Sequence, residues 1–150
     1  MDSWKIQTSK EIKEIHQILE AQFGFTGRLE YAFLRNSQNN LYMVSRDVAN
    51  IDWKTLRIKS AGLYFAEWKT GIRLSIEGSQ LVGPSSNKNI LEITDLEAMQ
   101  WLKGQDLSAP KEMRGYVLLK CGNDFYGCGS VKEGIVMNFV PKIRRLPANA

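Results

Sequence analysis

A chain of 150 residues sits near the usual size of one domain and is also long enough for two small α/β modules sharing an interface. With 43% hydrophobic and 24% charged residues it can build a core, so a folded protein is expected and disorder is not. The net charge of +4, with an isoelectric point near 9.1, leans toward a polyanionic partner. No apolar run approaches the roughly 20 residues that span a bilayer. Met1-Asp2-Ser3-Trp4-Lys5 carries no apolar signal core, so a cytoplasmic location without a membrane partner is expected.

The first element predicted is a helix over Thr8 to Gln22. Thr8 can cap it, Glu11 stands at the capping-box position, and Ile12, Ile15, Ile18 and Leu19 recur at helical spacing. Gly24 and Gly27 end it. Leu29 to Arg35 and Leu41 to Ser45 are apolar, aromatic-rich runs around a polar five-residue loop, which predicts a hairpin. A short helix over Arg46 to Asn50 is expected next. Thr55 to Trp68 and Gly71 to Ile76 read as strands, the first carrying Ile58, Leu63, Tyr64 and Phe65. The expectation for this half is an α/β module with a mostly antiparallel sheet.

Gly83-Pro84-Ser85-Ser86-Asn87 is the strongest run of breakers and marks the predicted boundary, with modules at residues 1–83 and 84–150. Beyond it Ile90 to Ile93 predicts a short strand, and Thr94 or Asp95 caps a helix carrying Leu96, Met99, Trp101 and Leu102 up to Gly104. A loop through Ser108, Ala109 and Pro110 leads to strands at Gly115 to Cys121, Asp124 to Val131 and Ile135 to Phe139. Turns at Gly122-Asn123 and Glu133-Gly134 join them. The second module is expected to be a compact β-ribbon or barrel that leans on the first for stability. The fold class is α+β.

The motifs exclude more than they assign. The chain has no phosphate loop of the GxxxxGK[ST] kind, no strand-to-helix GxGxxG, no HExxH and no CxxC. Its one histidine, His16, lies on a predicted helix, and Cys121 and Cys128 read as structural thiols, so neither a metal site nor a Cys-His or Ser-His catalytic pair is expected. Asp95 and Glu97 read as helix-start caps rather than an acid-base pair. Tyr126-Gly127-Cys128-Gly129-Ser130 spaces two glycines inside a predicted strand, where glycine marks a bulge or a close backbone approach. No cofactor and no enzymatic activity are expected.

Charge is distributed unevenly. Lys111 to Ala150 holds seven basic residues against three acidic ones, and Lys54 to Arg73 holds five against Glu67 alone. Either two stretches line one nucleic-acid track or they are solvated strand faces. Asn138-Phe139-Val140-Pro141-Lys142-Ile143-Arg144-Arg145 places a proline directly after a strand, projecting Lys142, Arg144 and Arg145 from a fixed anchor that suits phosphate contacts. A merely charged tail is the competing reading. Asn138 can equally read a base edge or hydrogen-bond a turn.

An ordered set of segments raises the first reading. An A-x-x-W-L-x-G helix end (Ala98 to Gly104), the strand Gly115-Tyr116-Val117-Leu118, the Gly127-Cys128-Gly129 strand and the N-x-x-P-K-x-x-R finish from Asn138 follow one another. Over roughly residues 90–146 this set resembles the PUA-like RNA-binding domain appended to Nol/Nop/Sun-type RNA cytosine methyltransferases. More faintly, Leu41-Tyr42-Met43-Val44-Ser45, Ser60 to Glu67 and Ile72 to Ile76 resemble the pre-PUA domain of Nip-family ribosome-biogenesis proteins. The resemblance implies a non-catalytic RNA-binding protein for structured ribosomal or transfer RNA, assisting RNA modification or ribosome biogenesis. The methyltransferase's cysteines and cofactor loop are missing, so its activity is not implied.

The RNA contacts expected are phosphate anchors at Lys132, Lys142, Arg144 and Arg145, with Asn138 or Tyr126 meeting exposed bases. An RNA methyltransferase or a ribosome-assembly factor is a further expected partner. The alternative is an adaptor that docks onto such a protein through aromatic residues including Tyr64, Phe65 and Trp68, which can also be core.

Overall fold

The computed structural model describes residues 4–49 and 62–150. The early part of the strand predicted from Thr55, with Lys54, Arg57, Ile58 and Lys59, lies outside the described residues.

Helix α1 (Ser9–Phe23) begins as the sequence demands. Thr8 Oγ1 accepts from the Glu11 amide at 3.2 Å and Glu11 Oε1 accepts from the Thr8 amide at 3.0 Å, a reciprocal cap that contributes about 1 kcal/mol. Gly24, in the left-handed region at φ 64°, ends it. Ile15, Leu19 and Phe23, spaced by four, are fully buried. His16 sits on the same helix as a structural link: its Nδ1 lies 3.0 Å from the Ile12 carbonyl and its Nε2 accepts from the Leu29 amide at 3.1 Å, pinning the chain that leads into the sheet.

The first sheet runs β1 (Lys5–Ile6), β2 (Ala32–Arg35), β3 (Asn40–Val44), β4 (Leu63–Trp68) and β5 (Ile72–Leu74) in that spatial order, every pair antiparallel. The predicted short helix follows β3 as α2 (Arg46–Ala49). A register shift opposite Leu41 and Tyr42 breaks the alternation of β4, so Phe65 and Trp68 are both buried in the core while Tyr64 stays half-buried beside Tyr42. The burial of Phe65 and Trp68 corrects their use as an adaptor surface: they are core. At the edge strand β5, the Gln22 side chain stands in for a missing strand, donating to the Ile72 carbonyl at 2.9 Å and accepting from its amide at 2.8 Å.

Between the sheets lies an element that the pattern missed. Ser75 does not continue a strand to Ile76; it caps α3 (Ile76–Val82), its Oγ accepting from the Gly78 amide at 2.9 Å. Gly78 and Ser79 are poor helix formers and hid the helix from propensity. Packing requires both. A Cβ at Gly78 would stand 2.3 Å from the Phe65 carbonyl oxygen, and the fully buried Ser79 hydroxyl accepts from the Gly127 amide at 2.9 Å. The predicted boundary falls on the tight 3-10 turn that follows, Gly83–Ser85.

The second sheet has the order β6 (Ile90–Glu92), β8 (Gly115–Cys121), β9 (Asp124–Lys132), β10 (Ile135–Met137) and β7 (Leu107–Ser108), with only β6 and β8 parallel, and it curls into a half-barrel. Strand β7 lies where the sequence predicts only a loop. Its two residues carry no periodicity and are ordered by pairing with β10. Glu133 and Gly134, both at positive φ, make the tight β9–β10 turn. Helix α4 (Asp95–Leu102) repeats the reciprocal cap with Thr94 and Glu97. It turns Ala98 and Trp101 inward and leaves Leu96 70% exposed.

Gly129 makes room for Trp101: a Cβ there would stand 2.9 Å from the indole and 2.3 Å from Val136. The indole donates to the Tyr126 carbonyl at 2.8 Å, so the large ring is buried without an orphan N–H. One hydrophobic cluster crosses the 83/84 boundary, joining Ile15, Leu19, Phe23 and Phe65 to Leu118, Phe125 and Cys128, while a second cluster around Trp101 fills the half-barrel.

Candidate nucleic-acid interface

Beyond β10 the chain is tied down residue by residue. Asn138 uses its whole side chain for this. Its amide group donates to the Trp101 carbonyl at 2.7 Å and the Gln105 carbonyl at 2.9 Å, and its Oδ1 accepts from the Val140 amide at 2.8 Å. Its backbone amide donates to Asp106 Oδ1 at 2.8 Å. Of the two roles open to Asn138, the geometry displays the turn and leaves no side-chain donor for a base edge. Pro141 then starts a 3-10 turn over Lys142–Arg144. Arg145 donates from Nε to the Val140 carbonyl at 3.0 Å and lies against Gly104, where a Cβ would meet its side chain at 2.5 Å. Leu146 donates to the Leu102 carbonyl at 2.9 Å. The basic finish is therefore a fixed edge rather than a loose tail over these residues.

This edge borders a cleft of about 250 Å³ between the two sheets. One wall comes from the first sheet and α3, with Tyr42, Tyr64, Arg73 and Glu77. The other comes from β9 and the chain after β10, with Tyr126, Phe139 and Arg144. Two contacts span it. The Arg144 guanidinium lies 2.6 Å and 2.9 Å from the Glu77 carboxylate oxygens, and the Arg73 guanidinium stacks 4.2 Å from the Phe139 ring centre while pairing with Glu67 at 3.4 Å. Tyr42 and Tyr64 pack with ring centres 5.4 Å apart.

Burial raises the Tyr64 hydroxyl above its ordinary pKa, and burial with the nearby Asp124 charge does the same for Tyr126, so both rings present neutral faces. Burial pushes the Cys128 thiol up to about 12, which makes it inert as a nucleophile. Cys121 is raised by its hydrogen bond to Asp95 Oδ1 at 3.2 Å. Among the described residues no group of three or more His, Cys, Asp or Glu stands in a metal-holding arrangement. The cleft sets aromatic residues beside the guanidinium groups of Arg73 and Arg144.

The residues proposed from sequence do not form one cluster. Tyr126 and Arg144 share the cleft, with Lys142 and Arg145 on the adjoining turn. Lys132 stands at the far end of β9, six residues and about 20 Å of strand from Tyr126. Arg73, Tyr42, Glu77 and Phe139 were not among the predicted contacts. The sequence did hold a signal for Arg73, which closes the second basic stretch. Only the fold brings it opposite Phe139.

Residues 88–146 match the family model of the methyltransferase RsmF PUA domain. No curated protein matches the chain. The match is to the non-catalytic domain and includes no methyltransferase catalytic domain. PUA domains bind RNA, which supports an RNA-binding role.

Proposed function

We propose that this protein, whose residues 88–146 are a PUA-like domain of the Nol/Sun methyltransferase type, binds structured ribosomal or transfer RNA and assists RNA modification or ribosome assembly without catalysis of its own. The observation that carries this reading is the match itself, because it ends on the basic finish that Asn138 and Gly104 hold in place. Lys142, Arg144 and Arg145 contact phosphates along this edge, Lys132 adds a contact beyond it, and Tyr126 offers a stacking face. Asn138 contributes by fixing the edge. Residues 1–83 act as a pre-PUA-like module that shares its core with residues 84–150, and the setting is the cytoplasm.

The test is salt dependence. Each phosphate contact contributes roughly 0.7–0.9 to the slope of log affinity against log salt. Lys142→Gln with Lys132→Gln should therefore weaken binding of structured RNA and reduce the slope by about 1.4–1.8 in all. Unchanged affinity and slope would remove these residues from the interface.

A second reading is docking onto a methyltransferase or pre-ribosomal factor. It draws on Ile143, 95% exposed on the C-terminal turn, and on Leu96 of α4. Association with such a protein that survives nuclease treatment and is lost in Ile143→Ser would favour it.

A further inference from the structure

The cleft between the sheets has features that phosphate anchoring along the edge does not use. Its volume of about 250 Å³ falls just below the roughly 300–1,000 Å³ of pockets for drug-sized ligands, so it fits one ring system and not a stacked pair. Its lining includes the aromatic residues Tyr42, Tyr64, Tyr126 and Phe139 from both halves of the molecule. Arg144 lines it, with Lys142 two residues back on the same 3-10 turn, and Arg73 lines it while stacked on Phe139.

We infer that this cleft takes the base of a single unpaired RNA nucleotide, stacked against Tyr64 and Tyr126, while Arg144 and Lys142 hold its phosphate. The inference rests on the RNA-binding reading and gives it a second, inner contact. The chemistry fits one occupant. Aromatic faces stack on any base, whereas an aliphatic peptide side chain gains little from four rings and two guanidiniums. Among the charged residues that line the cleft, Arg73 and Arg144 outnumber Glu77, and Lys142 stands on the adjoining turn, which favours a polyanion. A paired base cannot enter because its faces are covered in the duplex, so the cleft selects loops, bulges or ends. The Arg144–Glu77 pair then acts as a clasp: phosphate competes with Glu77 for the guanidinium, and the freed carboxylate faces the bound base.

The experiment adds ribonucleoside monophosphates, and separately inorganic phosphate, to the isotope-labelled full chain and follows backbone amide shifts. Saturable shifts at Tyr126, Gly127 and Phe139 with nucleotide, absent with phosphate, are expected, whereas phosphate alone shifts only Glu77 and Arg144 at the clasp. Tyr64→Leu and Tyr126→Leu should weaken nucleotide binding by roughly 5- to 150-fold, the factor a lost base stack brings. Tyr64→Phe keeps the ring and should bind as the wild type, which separates stacking from a folding defect. The same shifts with phosphate alone, or no shifts in the cleft, would overturn the inference. So would a folded Tyr64→Leu that binds structured RNA as tightly as the wild type, and RNA binding along the edge would then stand by itself. Cleft shifts with nucleotide in a protein that binds no structured RNA would keep the site and sink the RNA-binding reading.

Discussion

At the scale of single residues, the polar side chains with most effect are the ones that lock backbone. Asn138 serves two carbonyls and one amide, so Asn138→Ala orphans three groups near the Trp101 pocket. The expected cost is about 1–3 kcal/mol, read by denaturant unfolding, with RNA affinity falling through disorder of the edge. A variant as stable as the wild type would contradict the network. Cys128 gives a prediction with a sign. Its thiol is raised from an ordinary 9.0 to about 12, so above pH 9 the unfolded chain ionises this group while the folded protein does not. Its contribution is complete below pH 9 and is lost as pH rises toward 12. In the native protein at mildly alkaline pH, alkylation should reach Cys121 and spare Cys128, and both should react after unfolding.

At the scale of elements, α3 is where local rule and packing disagree. In a solvent-exposed helix Gly→Ala gains up to about 1 kcal/mol. Gly78→Ala should do the reverse, losing about 1–3 kcal/mol, because the new methyl meets the Phe65 carbonyl in a place that cannot yield. Thermal melting decides the sign. The capped helices were legible in sequence, Thr8 with Glu11 and a cap at Thr94 or Asp95 that the fold assigns to Thr94 with Glu97, since a cap is a local arrangement written within four residues. Helix α3 and strand β7 were not, because Gly78 answers to Phe65 and Leu107 to Val136, partners that lie far along the chain.

At the scale of the whole molecule, the shared core makes the two modules dependent. Leu118, Phe125 and Cys128 of the second sheet are buried against α1 and the first sheet, and a Cβ at Gly83 would stand within 2.6 Å of the Phe125 ring. Residues 84–150 alone would expose this apolar surface. The fragment should therefore lack the near-ultraviolet dichroism of fixed aromatic rings and a cooperative melt, while the full chain unfolds in one transition. Cooperative unfolding of the fragment would show that the half-barrel needs no support.

The sequence by itself determined the α+β class, the capped helices, the hairpins and the PUA-like order of segments, because each rests on neighbours in the chain. It also placed Tyr126, Lys142, Arg144 and Arg145 near the surface where recognition is proposed. Only the tertiary structure decided that Asn138 is spent on the turn, that Phe65 and Trp68 are core while Tyr64 faces a cleft, and that Arg73 meets Phe139. The physical reason is the same in each case. A side chain's role depends on which face its strand turns inward and on what a distant segment brings opposite it, and neither is recorded in the spacing of residues along one strand.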